Sequence, residues 1–196
     1  MVARKPNKAK QVSIITIAAA LYAVFFFLSG LIAVPQFTIL YLPIILLGVF
    51  PLWFGLSGLF GSVIGAFIGG FFVEGLGFLA WIESVTTVII YTLNWVFIPQ
   101  KITQENTKKN LALLLGVYAL TLFIGTGYIL WQFTILELLP AGAAEVILLP
   151  TFILNLIIES IICPILIKTL SPKLRSIGIY SGTFREWLSH RRLTKK

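Results

Sequence analysis

Apolar positions in this chain do not alternate with polar ones at a strand or amphipathic-helix period; they run in long blocks. The blocks cover residues 12–34, 39–54, 56–73, 82–98, 111–131 and 146–167. About 20 consecutive apolar residues carry a helix across the roughly 30 Å hydrocarbon layer of a bilayer. The pattern therefore predicts an all-α membrane protein, a single bundle of six transmembrane helices over residues 12–168. A basic segment, 1–11, precedes the bundle, and a basic tail, 169–196, follows it. Breakers mark the block ends. Pro35 and Gln36 close the first and Pro99 the fourth, while Pro150 and Pro164 lie near the ends of the sixth. Pro43 and Pro51 fall inside the second block, which predicts a short, tilted or kinked helix there. In the tail, Thr183 and Glu186 have the T-x-x-E spacing of a capping box, with Phe184, Trp187 and Leu188 on one face. That spacing predicts a short helix lying at the membrane surface.

The third block has its own pattern. Gly61, Gly65 and Gly69 recur every four residues, with Gly58 one turn earlier. Glycine in a helix interior costs about 1 kcal/mol against alanine in water. In lipid, a smooth glycine face lets neighbouring helices approach and gain van der Waals contact, so Gly58, Gly61, Gly65 and Gly69 are expected to pack helices.

Composition narrows the class. At 58% hydrophobic and 11% charged, with a mean hydropathy of +0.98, the chain belongs in a membrane. It holds no aspartate, one cysteine (Cys163) and one histidine (His190, in the tail). Disulfide scaffolds, zinc and di-iron centres and histidine relays need ligands that are not there. No metal, no cofactor and no enzymatic activity are expected. The net charge of +8 is segregated: all 15 Lys and Arg fall in 1–11, 100–110 and 168–196. These segments, with the tight turn near Gly55, share one side of a six-helix chain. By the positive-inside rule both termini are cytoplasmic, in a multi-pass protein of the plasma membrane. The basic residues suit anionic lipid head groups rather than nucleic acid.

Polar residues inside the blocks are the candidate chemistry. Ser84, Thr87, Tyr91 and Asn94 form one stripe, headed by Trp81 and Glu83. Tyr118, Thr121, Gly125 and Tyr128 form another, leading to Trp131 and Gln132, and Asn155 and Glu159 lie one turn apart on a third helix. Converging, the stripes would line a cavity open on the non-cytoplasmic side. Trp81, Glu83, Tyr91, Asn94, Tyr128, Trp131, Asn155 and Glu159 would bind a flat, partly polar small molecule there, by ring stacking and hydrogen bonds. The plain alternatives are an interfacial aromatic belt and interhelical hydrogen bonds.

The first block, IAAALYAVFFFLSG, and the third, GSVIGAFIGGFFVEGLG, resemble the substrate-binding S components of energy-coupling factor (ECF) vitamin transporters. The resemblance implies a six-helix subunit that captures a vitamin-like micronutrient from outside. It also implies an alanine face, Ala19 and Ala23, docking onto a transmembrane coupling subunit that sits on two cytoplasmic ATPases. Glu74 stands where many members carry aspartate, and with no residue-by-residue match to the thiamine, riboflavin or biotin signatures the substrate stays open. A stand-alone permease or channel, or a membrane sensor or assembly protein, are the competing expectations.

Overall fold

The computed structural model describes residues 8–32, 40–75, 77–99, 102, 108–138 and 142–193. Arg4, Lys5, Pro35, Gln36, the polar residues 103–107 and Pro140 lie outside them, as do the side chains of Glu74 and Glu145. The described residues form six helices and no strand: α1 (Lys8–Ile32), α2 (Pro43–Glu74), α3 (Gly77–Phe97), α4 (Lys108–Ile135), α5 (Ala143–Ser176) and α6 (Phe184–Leu193). Among them, α1 to α5 each contain a stretch long and apolar enough to cross a bilayer. The chain is thus an all-α, multi-pass membrane protein.

The second and third apolar blocks are not separated by a loop. They join in α2, broken at Gly55, whose backbone (φ 51°, ψ −131°) only glycine adopts readily. The chain doubles back at this residue. Leu42, before the break, donates its N–H to Ser29 Oγ at 2.8 Å, and Val73, after it, packs on Gly30, so both ends of α2 lie beside one end of α1. Gly61, just past the break, packs near Ile15 and Ala18, towards the other end. The first arm, 43–54, would be roughly 18 Å long at 1.5 Å per residue, well short of a full crossing. It is also the centre of the bundle: every residue from 43 to 53 is buried. A helix covered on all sides has no polar face, which explains its nearly uninterrupted apolar sequence.

The second arm, 56–74, lies against α1 through the glycine face. A Cβ at Gly61 would come within 2.6 Å of the Ile15 carbonyl, and one at Gly65 within 2.5 Å of the Ala19 carbonyl. At Gly69 it would meet the Phe26 side chain at 2.7 Å. Gly61, Gly65 and Gly69 therefore lie where this arm meets α1. Gly58 serves the hairpin instead, facing Tyr91 and Phe54. The turn of the ring continues with α2 on α3, α3 on α4, α4 on α5 and α5 back on α2.

α3 begins at Gly77, five residues before the apolar block at 82, so Trp81 as well as Glu83 lies within the helix. α5 reaches from Ala143 to Ser176, which leaves Pro150 and Pro164 inside a helix instead of near its ends. The capping box forms: Thr183 N–H donates to Glu186 Oε2 at 2.8 Å, and Glu186 N–H to Thr183 Oγ1 at 3.4 Å. α6 then lays Phe184 and Trp187, stacked at 5.8 Å, against Trp95. Just before α6, the N–H groups of Ser181 and Gly182 donate to the carbonyls of Leu52 and Trp53. These carbonyls belong to the last turn before Gly55, which has no helical donors ahead of it. Lys10 Nζ donates to the carbonyls of Ile177 and Gly178, so the N-terminal and C-terminal segments meet at one end of the bundle.

Candidate functional site

The central arm 43–54 sets the polar chemistry of the interior, because its backbone is interrupted at both ends and by Pro51. Near the end opposite Lys10 and Ile177, Tyr41 precedes the arm and gathers groups from three helices. Its N–H donates to Asn155 Oδ1 at 2.8 Å, and its hydroxyl donates to Glu83 Oε2 at 3.2 Å. The hydroxyl of Tyr22 on α1 stands 2.7 Å from the Tyr41 hydroxyl and 2.8 Å from Thr87 Oγ1. Phe26 meets the Tyr41 ring edge-on at 5.6 Å. This layer therefore joins a carboxylate (Glu83, 6% exposed), an amide (Asn155) and three aromatic rings.

A second layer lies deeper. Pro51 has no N–H, so the Leu47 carbonyl has lost its ordinary helical donor. Asn94 Nδ2 supplies one at 3.2 Å, and Asn94 Oδ1 accepts from Thr121 Oγ1 at 2.8 Å. The Tyr118 hydroxyl donates to the Gly48 carbonyl at 3.2 Å, and Cys163 Sγ to the Ile45 carbonyl at 3.4 Å. At the break itself, the Tyr91 hydroxyl donates to the carbonyls of Phe50 and Gly55. Glu159 belongs to this layer and is fully buried, yet neither of its oxygens has a hydrogen-bond partner.

The residues expected to bind a ligand are thus divided. Glu83 and Asn155 come together around Tyr41, and Asn94 and Glu159 meet one layer below. Tyr91 faces inward but serves the Gly55 break. Trp81 (64% exposed) and Trp131 (58% exposed) lie on the outer surface of the bundle, where Trp81 packs on Phe67 and Trp131 on Tyr128. Their outward direction removes the two indoles from the interior. Ala19 is also placed differently from the docking expectation: it is 8% exposed and covered by Gly61 and Gly65 of the same chain. Ala23 is half-buried.

Sequence reasoning missed Tyr22, Tyr41 and Ser29 as members of the interior. A tyrosine in the middle of an otherwise apolar first block was the available signal, since its hydroxyl has to find a partner in lipid. Comparison of the chain with family models, with curated proteins and with solved structures gave no match.

Proposed function

We propose that the chain is the membrane-embedded substrate-binding subunit of an ECF-type importer, with six crossings and both termini in the cytoplasm. The two arms of α2 count as separate crossings in this reading. The meeting of Lys10 with residues 177 and 178 supports it, since it brings the basic start of α1 beside the segment that follows Lys173 and Arg175. The observation that carries the functional part is the Tyr41, Glu83 and Asn155 cluster at the opposite end of the bundle. A vitamin-like ligand arriving from outside would compete for these hydrogen bonds. Tyr22, Phe26 and Tyr41 would offer ring contact in place of Trp81 and Trp131.

Delivery would need a transmembrane coupling subunit and two ATPase subunits, because no phosphate-binding loop occurs in this chain. The glycine arm occupies Ala19, so docking on α1 would fall to Ala23 and the exposed residues beside it, such as Ala20 and Val24. A membrane sensor or assembly protein is the second reading. It is favoured by Tyr91, Asn94 and Asn155, each of which hydrogen-bonds backbone within the chain.

Native mass spectrometry of the purified protein tests the proposal. The expected result is a co-purified small molecule that is lost from Glu83→Ala and Asn155→Ala variants of unchanged thermal stability. A protein that never carries a ligand, including after incubation with vitamin mixtures, would remove the substrate-binding reading.

A further inference from the structure

Glu159 stands near the midpoint of the 34-residue α5, fully buried, with both carboxyl oxygens unpartnered. An ionised carboxylate taken out of water without a partner costs several kcal/mol. Asn94, Tyr118 and Cys163, which stand near it, have partners of their own: Asn94 holds the Leu47 carbonyl and Thr121, Tyr118 holds the Gly48 carbonyl, and Cys163 holds the Ile45 carbonyl. The groups facing Glu159 are therefore an amide from α3, a phenol from α4, a thiol from α5 and the backbone of α2. None carries a positive charge. At Gly48 a Cβ would stand 3.0 Å from Glu159 Oε1 and 2.6 Å from Cys163 Sγ, so the carboxylate and the thiol pack directly on the backbone of the central arm.

We propose that Glu159 is the anionic ligand of a site for a sodium-sized monovalent cation, completed by carbonyls of the central arm and by the hydroxyl oxygen of Tyr118. Three features select this occupant. The donors are hard oxygens, which favour alkali and alkaline-earth ions over thiophilic metals. One carboxylate balances a single charge, whereas a divalent ion would leave an uncompensated charge in the membrane interior. The arm is interrupted by Pro51 and Gly55, and carbonyls of interrupted membrane helices, together with oxygen-bearing side chains, are suited to coordinating sodium. In the absence of the ion, a proton on Glu159 neutralises the same position, so the two compete. The site is independent of the transport reading and stands whether or not a vitamin binds near Tyr41.

The test uses the full chain in lipid nanodiscs, with sodium chloride exchanged for choline chloride at constant ionic strength. The wild-type Tm should rise with the logarithm of sodium concentration, and more steeply as pH rises, because the competing proton leaves. In Glu159→Gln the sodium dependence should vanish. Dicyclohexylcarbodiimide, which reacts with protonated buried carboxyls, gives a second readout by peptide mass spectrometry. Sodium at ten times its Kd should slow labelling of wild-type Glu159 about tenfold by mass action. A wild-type Tm and labelling rate indifferent to sodium would overturn the proposal and leave Glu159 with a proton only. An equal sodium slope in Glu159→Gln would overturn it as well. If that variant does not fold, the two wild-type measurements decide.

Discussion

The role of Asn94 makes a sharp energetic prediction. Asn94→Leu keeps the side chain's branching and heavy-atom count but removes the amide that serves the Leu47 carbonyl. Thr121 keeps an acceptor, the Tyr118 carbonyl at 3.3 Å, so the main loss is one buried carbonyl without a donor. Such a group costs about 1–3 kcal/mol in water-soluble proteins. Interhelical hydrogen bonds in membranes average only about 0.6 kcal/mol, with a maximum near 1.7, because the unfolded reference state also finds partners. Leu47 has no backbone substitute while Pro51 is in place, which argues for the upper part of that range, about 1–2 kcal/mol.

Pro51→Ala restores the N–H four residues ahead of Leu47 and should make Asn94 dispensable. In the Pro51→Ala background, Asn94→Leu should therefore cost about 1 kcal/mol less than in wild type. Steric trapping or titration with denaturing detergent, run as a double-mutant cycle, measures the difference. Asn94 also lies near Glu159, and loss of that neighbour would not be repaired by a new N–H at residue 51. Additivity within about 0.5 kcal/mol would show that the Leu47 carbonyl does not depend on Asn94, and would refute the reasoning.

Further outcomes can be checked alongside. Gly65→Ala pushes a Cβ to 2.5 Å from a backbone carbonyl that cannot rotate away, and should destabilise by about 1–3 kcal/mol, whereas Gly116→Ala, with nothing within 4 Å, should be neutral or stabilising. Equal melting temperatures for the two variants would refute close approach of α1 and α2. Single cysteines at Gln104 and Gly142, in a Cys163→Ala background, should react with impermeant maleimide from opposite faces of oriented vesicles; reaction from the same face would refute six crossings. Thr183→Ala removes one half of the capping box and should cost about 0.5–2 kcal/mol locally. Faster hydrogen exchange confined to residues 181–193 is the expected sign, and unchanged exchange there would count against the box.

The sequence by itself determined the features that depend on local sums. Six apolar blocks, the sorting of basic residues, the glycine spacing at 61, 65 and 69 and the capping box at 183 and 186 follow from transfer free energy and from i, i+3 and i, i+4 geometry, which need no knowledge of neighbours. That Gly61, Gly65 and Gly69 share one smooth helix face and that a helix follows Thr183 were legible in this way. Tertiary structure alone decided that residues 43–54 are the buried centre, that Gly55 reverses the chain without a loop, and which face of each helix turns inward. Trp81 and Trp131 point outward, Tyr22 and Tyr41 inward, and Ala19 disappears under Gly65. The reason is the solvent. In lipid an apolar helix gains little by turning one apolar side inward rather than another, so orientation falls to small-residue fit and to the partners that an interrupted backbone demands. Pro51 and Gly55 are visible in the sequence, but the side chains that satisfy the carbonyls they free come from distant helices, and only packing brings them there.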